Sequence, residues 1–235
     1  MMNNIKAVIH YEWTGTKKAA SVFWIILGST VLLSIISAYS FTDGEVYMGG
    51  TSIALFAYLT ITGFIAVKDS MSYCIQRGAT RNQFLAGIGL SFLVTSIIMA
   101  VIHTILVELA ILVTKDLLNL KTVHFFRLSD LLSTSPSFLT ATVVDMLLSF
   151  FCLATAFLIG AIFFRFGKTI GLSFLAFCGL ILMNASIQTK IGSFLFSDSS
   201  NAILMDFVIL FFLGVICFFI TWLIIRKTSI HPSIQ

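Results

Sequence analysis

The sequence predicts an all-α, polytopic membrane protein with six transmembrane helices and both termini in the cytoplasm. Three observations lead there. Of 235 residues, 58% are hydrophobic and only 10% are charged, whereas a soluble domain carries roughly a quarter charged residues. The apolar residues gather into six runs, each near the roughly 20 residues that a bilayer-spanning helix needs. Most of the Lys and Arg residues fall on one side of those runs, the side that the positive-inside rule makes cytoplasmic.

The runs cover about 20–40, 49–67, 84–113, 138–164, 169–187 and 203–225. Lipid gives the backbone no hydrogen-bonding partner, so each run must bond within its own helix. Lys6, Lys17 and Lys18 precede the first run, and Lys68, Arg77 and Arg81 lie between the second and third. Arg165 and Lys168 separate the fourth from the fifth, and Arg226 and Lys227 follow the sixth. Only Lys115, Lys121, Arg127 and Lys190 lie opposite. An even number of spans puts both ends on the basic side, and the charges agree. A cleaved leader is the rival for the first run, since Ala38-Tyr39-Ser40 loosely resembles a cleavage site. The run is longer than a leader's apolar core of about 7–15 residues, so we read it as a span. The chain 1–235 is thus expected to be a single transmembrane domain, its principal partner the lipid bilayer.

Two features stand on the basic side. Before the first span, Ile5, Val8, Ile9 and Trp13 follow helical spacing, which predicts a helix over 1–19 lying in the interface with Trp13 at headgroup level. Between the second and third spans, the loop 68–82 places Met71, Cys74 and Ile75 on one helical face. Gly78 fits a helix C-cap. Thr80, with Gln83 three residues on, matches a capping box that opens the third span.

Motifs for chemistry are absent. Gly167-Lys168-Thr169 has the end of a phosphate-binding loop, but the first glycine would be residue 162, which is Ile162. Cys74, Cys152, Cys178 and Cys217 stand far apart, and His10, His103, His124 and His231 are scattered, so no metal-ligand spacing emerges. No catalytic constellation, cofactor site or nucleic-acid motif is visible. Glu108, Asp145 and Asp206 are expected near the outer boundary, either as an acidic ring at an exit gate or as interfacial residues favoured by helix dipoles. His103 in the third span faces a cavity or packs against another helix. Small residues at four-residue spacing mark close helix contacts: Thr30, Ser34 and Ala38; Gly87, Ser91 and Thr95; Cys152, Ala156 and Gly160. The outer loop 115–137 is amphipathic, and 188–202, with Phe194 and Phe196, is short enough to dip back into the bilayer. Both prolines, Pro136 and Pro232, lie outside the spans.

The interfacial leader, the six spans, the structured basic loop and the string Gln76-Arg77-Gly78-Ala79-Thr80-Arg81-Asn82-Gln83-Phe84 resemble the ABC type-2 membrane family, the permease subunits of ATP-driven exporters. The layout covers the whole chain and the string nine residues. The resemblance implies a coupling helix that docks on an ABC ATPase subunit, formed here by Asp69, Met71, Tyr73, Cys74, Ile75 and Arg77. It implies that ATP and Mg²⁺ are bound by that partner, with no cofactor in this chain. It also implies a second permease, identical or homologous, and a bacterial cytoplasmic membrane. The loop lacks the Glu-containing pattern of drug and polysaccharide exporters. It looks closer to small Gram-positive permeases that move bacteriocins and toxin peptides such as phenol-soluble modulins. The expected function is export of hydrophobic or amphipathic peptides, or self-immunity to them. An ATP-independent secondary transporter or channel is the alternative, and a membrane-embedded enzyme has no catalytic group to recommend it.

Overall fold

A computed structural model describes residues 2–41, 46–48, 50–118, 123–125, 127–131, 137–195 and 200–226. Six α-helices carry most of them: α1 (Met2–Phe41), α2 (Gly50–Gln76), α3 (Arg81–Leu112), α4 (Phe138–Leu182), α5 (Ala185–Leu195) and α6 (Ser200–Arg226). Five of these, all but α5, are long and apolar enough to cross a membrane. Two three-residue strands, β1 (Val46–Met48) and β2 (Val123–Phe125), pair in parallel, with Val46 opposite Val123. They join the loops that follow α1 and α3. Lys121, Phe126, Pro136, Phe196, Lys227, His231 and Pro232, named above, lie outside the described residues.

The interfacial leader expected over 1–19 is not a separate element. Residues from Met2 run without a break into the first apolar run, giving 40 residues and a rod of about 60 Å. Gly15 stays helical, and the Thr14 and Ser21 hydroxyls fold back onto His10 O and Lys17 O. Nothing between the leader and the run supplies a stop signal. The loop helix of 68–76 is likewise the end of α2 rather than a new helix.

The fourth and fifth apolar runs share α4, which is broken at Gly167 (φ 84°, ψ 173°). That left-handed φ suits glycine. Gly171 lies directly against the Phe163 ring. A straight helix would hold residues eight apart at about 12 Å, so the chain bends sharply here. The second limb, 168–182, stops earlier than the run 169–187 expected from hydropathy. Met183 and Asn184 form a turn, and the Asn184 side chain accepts from Ser186 N, capping α5.

The first limb of α4 packs on α2, α3 and α6. A Cβ on Gly63 would strike the Leu153 backbone and one on Gly160 the Phe64 backbone, so α2 and α4 touch backbone to backbone. Gly87 likewise receives Val8 of α1. Two of the expected small-residue ridges are therefore helix contacts within the chain. Phe92, Phe157 and Phe218 fill the space between α3, α4 and α6. Large apolar side chains such as Ile25, Leu172, Phe177 and Phe219 point outward. A surface of this kind is stable in lipid, and the protein is a multi-pass membrane protein.

Candidate functional site

At the basic end, four residues separate α2 from α3, and Gly78, Ala79 and Thr80 among them each have a structural task. Gly78 takes φ +89°, its N–H donating to Ile75 O at 3.0 Å, while Ala79 N–H donates to Cys74 O at 3.0 Å. This pair of bonds is the Schellman motif, which satisfies carbonyls that a helix end leaves open. Thr80 then opens α3: its hydroxyl accepts from Gln83 N, and its own N–H donates to Gln83 Oε1 at 2.9 Å. The capping box and glycine stop expected from sequence are both present. The result is a stiff elbow, not a slack loop.

The next residues tie this elbow to α6. Arg81 Nη1 donates to Arg226 O at 2.7 Å and to Ile225 O at 3.3 Å. Asn82 Oδ1 accepts from Trp222 Nε1 at 3.2 Å, and from the end of the first limb of α4, Arg165 Nη1 donates to Ile224 O at 3.0 Å. The last carbonyls of a helix lack intrahelical partners and carry its negative dipole end. Two arginines from different helices satisfy them here. Sequence reasoning counted Arg81 and Arg165 only as topology signals.

The proposed docking residues divide. Asp69, Arg77 and Tyr73 are exposed, the last at 37%, and Ile75 is half-buried. Met71 is 0% and Cys74 5% exposed, both within the core shared with Val8, Phe84 and Leu85. The apolar face expected to meet a partner is therefore filled by α1 and α3 of the same chain. Hydrophobic burial is non-directional, and the long α1 supplied the nearest apolar surface. What faces outward instead is a polar ladder: the Arg77 guanidinium sits 5.0 Å over the Tyr73 ring, which stacks on Tyr11 at 4.1 Å.

At the opposite end, the three carboxyls do not form one ring. His103 Nδ1 lies 2.6 Å from Asp145 Oδ2, and these side chains are 0% and 4% exposed. Thr142 donates to Thr104 at 3.3 Å one turn away. Glu108 instead accepts from Arg127 Nη1 at 2.8 Å, while Asp130 accepts from the Arg127 backbone N–H. Asp206 is half-exposed on α6 and forms no ion pair among the described residues. Asp145, expected near the outer boundary, is buried against α3, where it meets the His103 side chain. Among the described residues no three His, Cys, Asp or Glu side chains converge as a metal set.

Gly167 and Gly171 serve the bend and the Phe163 contact within the chain. On α1, Thr30 and Ser34 are exposed and Ala38 is buried. Comparison of the chain with family models, with curated proteins and with solved structures gives no match.

Proposed function

We propose that this protein is the transmembrane permease subunit of an ATP-driven exporter of the ABC type-2 kind. In this reading it lies in a bacterial cytoplasmic membrane, with six spans and both termini inside. The observation that carries the reading is the stiff elbow at 76–83 and its ties to α6. A connection that only enforced topology would gain nothing from two caps and an arginine clamp. A part that must pass force from one subunit into several helices needs them.

The sequence has no phosphate cradle, so ATP and Mg²⁺ belong to a separate ATPase subunit. That partner meets the exposed Asp69, Tyr73 and Arg77 and the half-buried Ile75, rather than Met71 and Cys74. A second permease completes the path, with Thr30 and Ser34 still exposed on α1 to meet it. The bend at Gly167 supports counting α4 as two passes. The substrate class is a hydrophobic or amphipathic peptide, in keeping with the Phe-rich bundle. The purified chain alone should neither bind nor hydrolyse ATP, and hydrolysis should appear only with the ATPase subunit. ATP turnover by the isolated chain, at a rate unchanged by further purification, would refute the assignment.

A secondary transporter is the second reading, favoured by the buried His103–Asp145 pair. Ionisable groups within a membrane bundle mark transport paths by default. Substrate movement that continues in the absence of any ATPase would favour it.

A further inference from the structure

A groove of about 350 Å³ runs between α1 and α2, starting at their basic ends. Its mouth holds two carboxyls, Glu12 of α1 and Asp69 of α2, with Ser70 beside them. Further in, its wall becomes Ile65 and Ile61, and Tyr58 lies about 16 Å along the helix from Asp69. Behind Glu12 a small cavity of about 30 Å³ continues to Ser91, which is 7% exposed. Glu12 Oε1 and Ser91 Oγ are both buried atoms without a hydrogen-bond partner among the described residues. Buried polar atoms normally find one, and leaving one unpaired costs about 1–3 kcal/mol.

These groups share a preference. The carboxyl oxygen of Glu12 can accept, and a hydroxyl oxygen can accept as readily as donate. Lys17 and Lys68 stand on the same helices, exposed, and neither forms an ion pair with Glu12 or Asp69. The groove thus offers an uncompensated acidic mouth, then an apolar wall.

We propose that this groove binds a cationic amphiphile, with a primary ammonium at Glu12 and Asp69 and an apolar portion along Ile65 and Ile61. Resting on the exporter reading, it narrows the substrate to an amphipathic peptide carrying a lysine or a free amino terminus. An ammonium has three donors and no acceptor, which suits the acceptors at the mouth. A fatty acid or an acidic peptide would meet carboxyls at that point.

The test uses the full chain in phosphatidylcholine nanodiscs, without any ATPase, so its outcome is separate from that of the docking reading. Two synthetic amphipathic peptides serve as probes: one of leucine and lysine, and one with glutamate for lysine and an acetylated amino terminus. The lysine peptide should bind and the glutamate peptide should not. Glu12→Gln should weaken the lysine peptide by about tenfold, the value of one charge-assisted contact. Asp69→Asn, at a more exposed position, should weaken it less. Glu12→Gln should also leave thermal stability equal or higher, because a desolvated carboxylate has been replaced by a neutral amide. Equal binding of both peptides, or Glu12→Gln binding like wild type, would overturn the proposal. So would displacement of the peptide by phosphatidylethanolamine added to the bilayer, which would assign the groove to a lipid amine.

Discussion

Arg81, the first residue of α3, holds the last residue of α6: its Nη1 donates to Arg226 O at 2.7 Å. The two are 145 positions apart in sequence. Because Arg81 begins the helix that the elbow starts, these bonds tie the elbow to the end of α6.

Arg81→Gln should therefore loosen the end of α6 without unfolding the bundle. Removing charge-assisted bonds at this half-buried site costs about 1–2 kcal/mol. Spin labels on the basic ends of α3 and α6 should show a broader distance distribution in the variant. An unchanged distribution would mean that the clamp transmits nothing.

Gly78→Ala tests the elbow by strain alone. Nothing lies within 4 Å of where its Cβ would be, but φ is +89°. The left-handed backbone should cost about 1–2 kcal/mol, read as a lowered Tm. Normal stability would show that the turn tolerates an alternative geometry.

The His103–Asp145 pair should behave as a buried pair whose partners depend on each other. Asp145→Ala leaves His103 without its partner and should cost about 3–5 kcal/mol. Replacing both by leucine should recover most of that loss. If the stable double variant no longer transports, the pair lies on the transport path and the secondary-transporter reading gains. If it transports normally, the pair is a structural fastening between α3 and α4.

Peptide retention in the α1–α2 groove should fall on acidification. Protonating Glu12 and Asp69 removes the ammonium's counter-charge, so binding of the lysine peptide should weaken as pH falls. Glu12→Gln should flatten the profile, and a wild-type profile that is flat to pH 5 would contradict this assignment.

Local features were legible in the sequence because local physics determines them. The stop at Gly78 and the box of Thr80 and Gln83 need only neighbouring residues and helix geometry. The apolar runs were readable because lipid demands them. What was not legible depends on distant partners. Met71 and Cys74 show the same helical stripe whether they face a partner or α1, and only packing decides. Asp145 finds His103 42 positions away, and Arg165 finds Ile224 at 59. The single α1 was misread for a related reason: a change from polar to apolar composition marks where lipid begins, not where a helix ends.

The most direct test of the account is co-purification of the proposed ABC ATPase with wild-type chain and with Arg77→Glu. Arg77 is exposed and, among the described residues, its side chain makes no hydrogen bond or ion pair, only the contact over the Tyr73 ring, so reversing it should leave the bundle intact. One charge among the basic-side residues should not reorient the protein. The ATPase should follow the wild type and be lost, or lose its stimulation, with the variant. An ATPase that binds both equally and drives equal transport would contradict docking at this elbow.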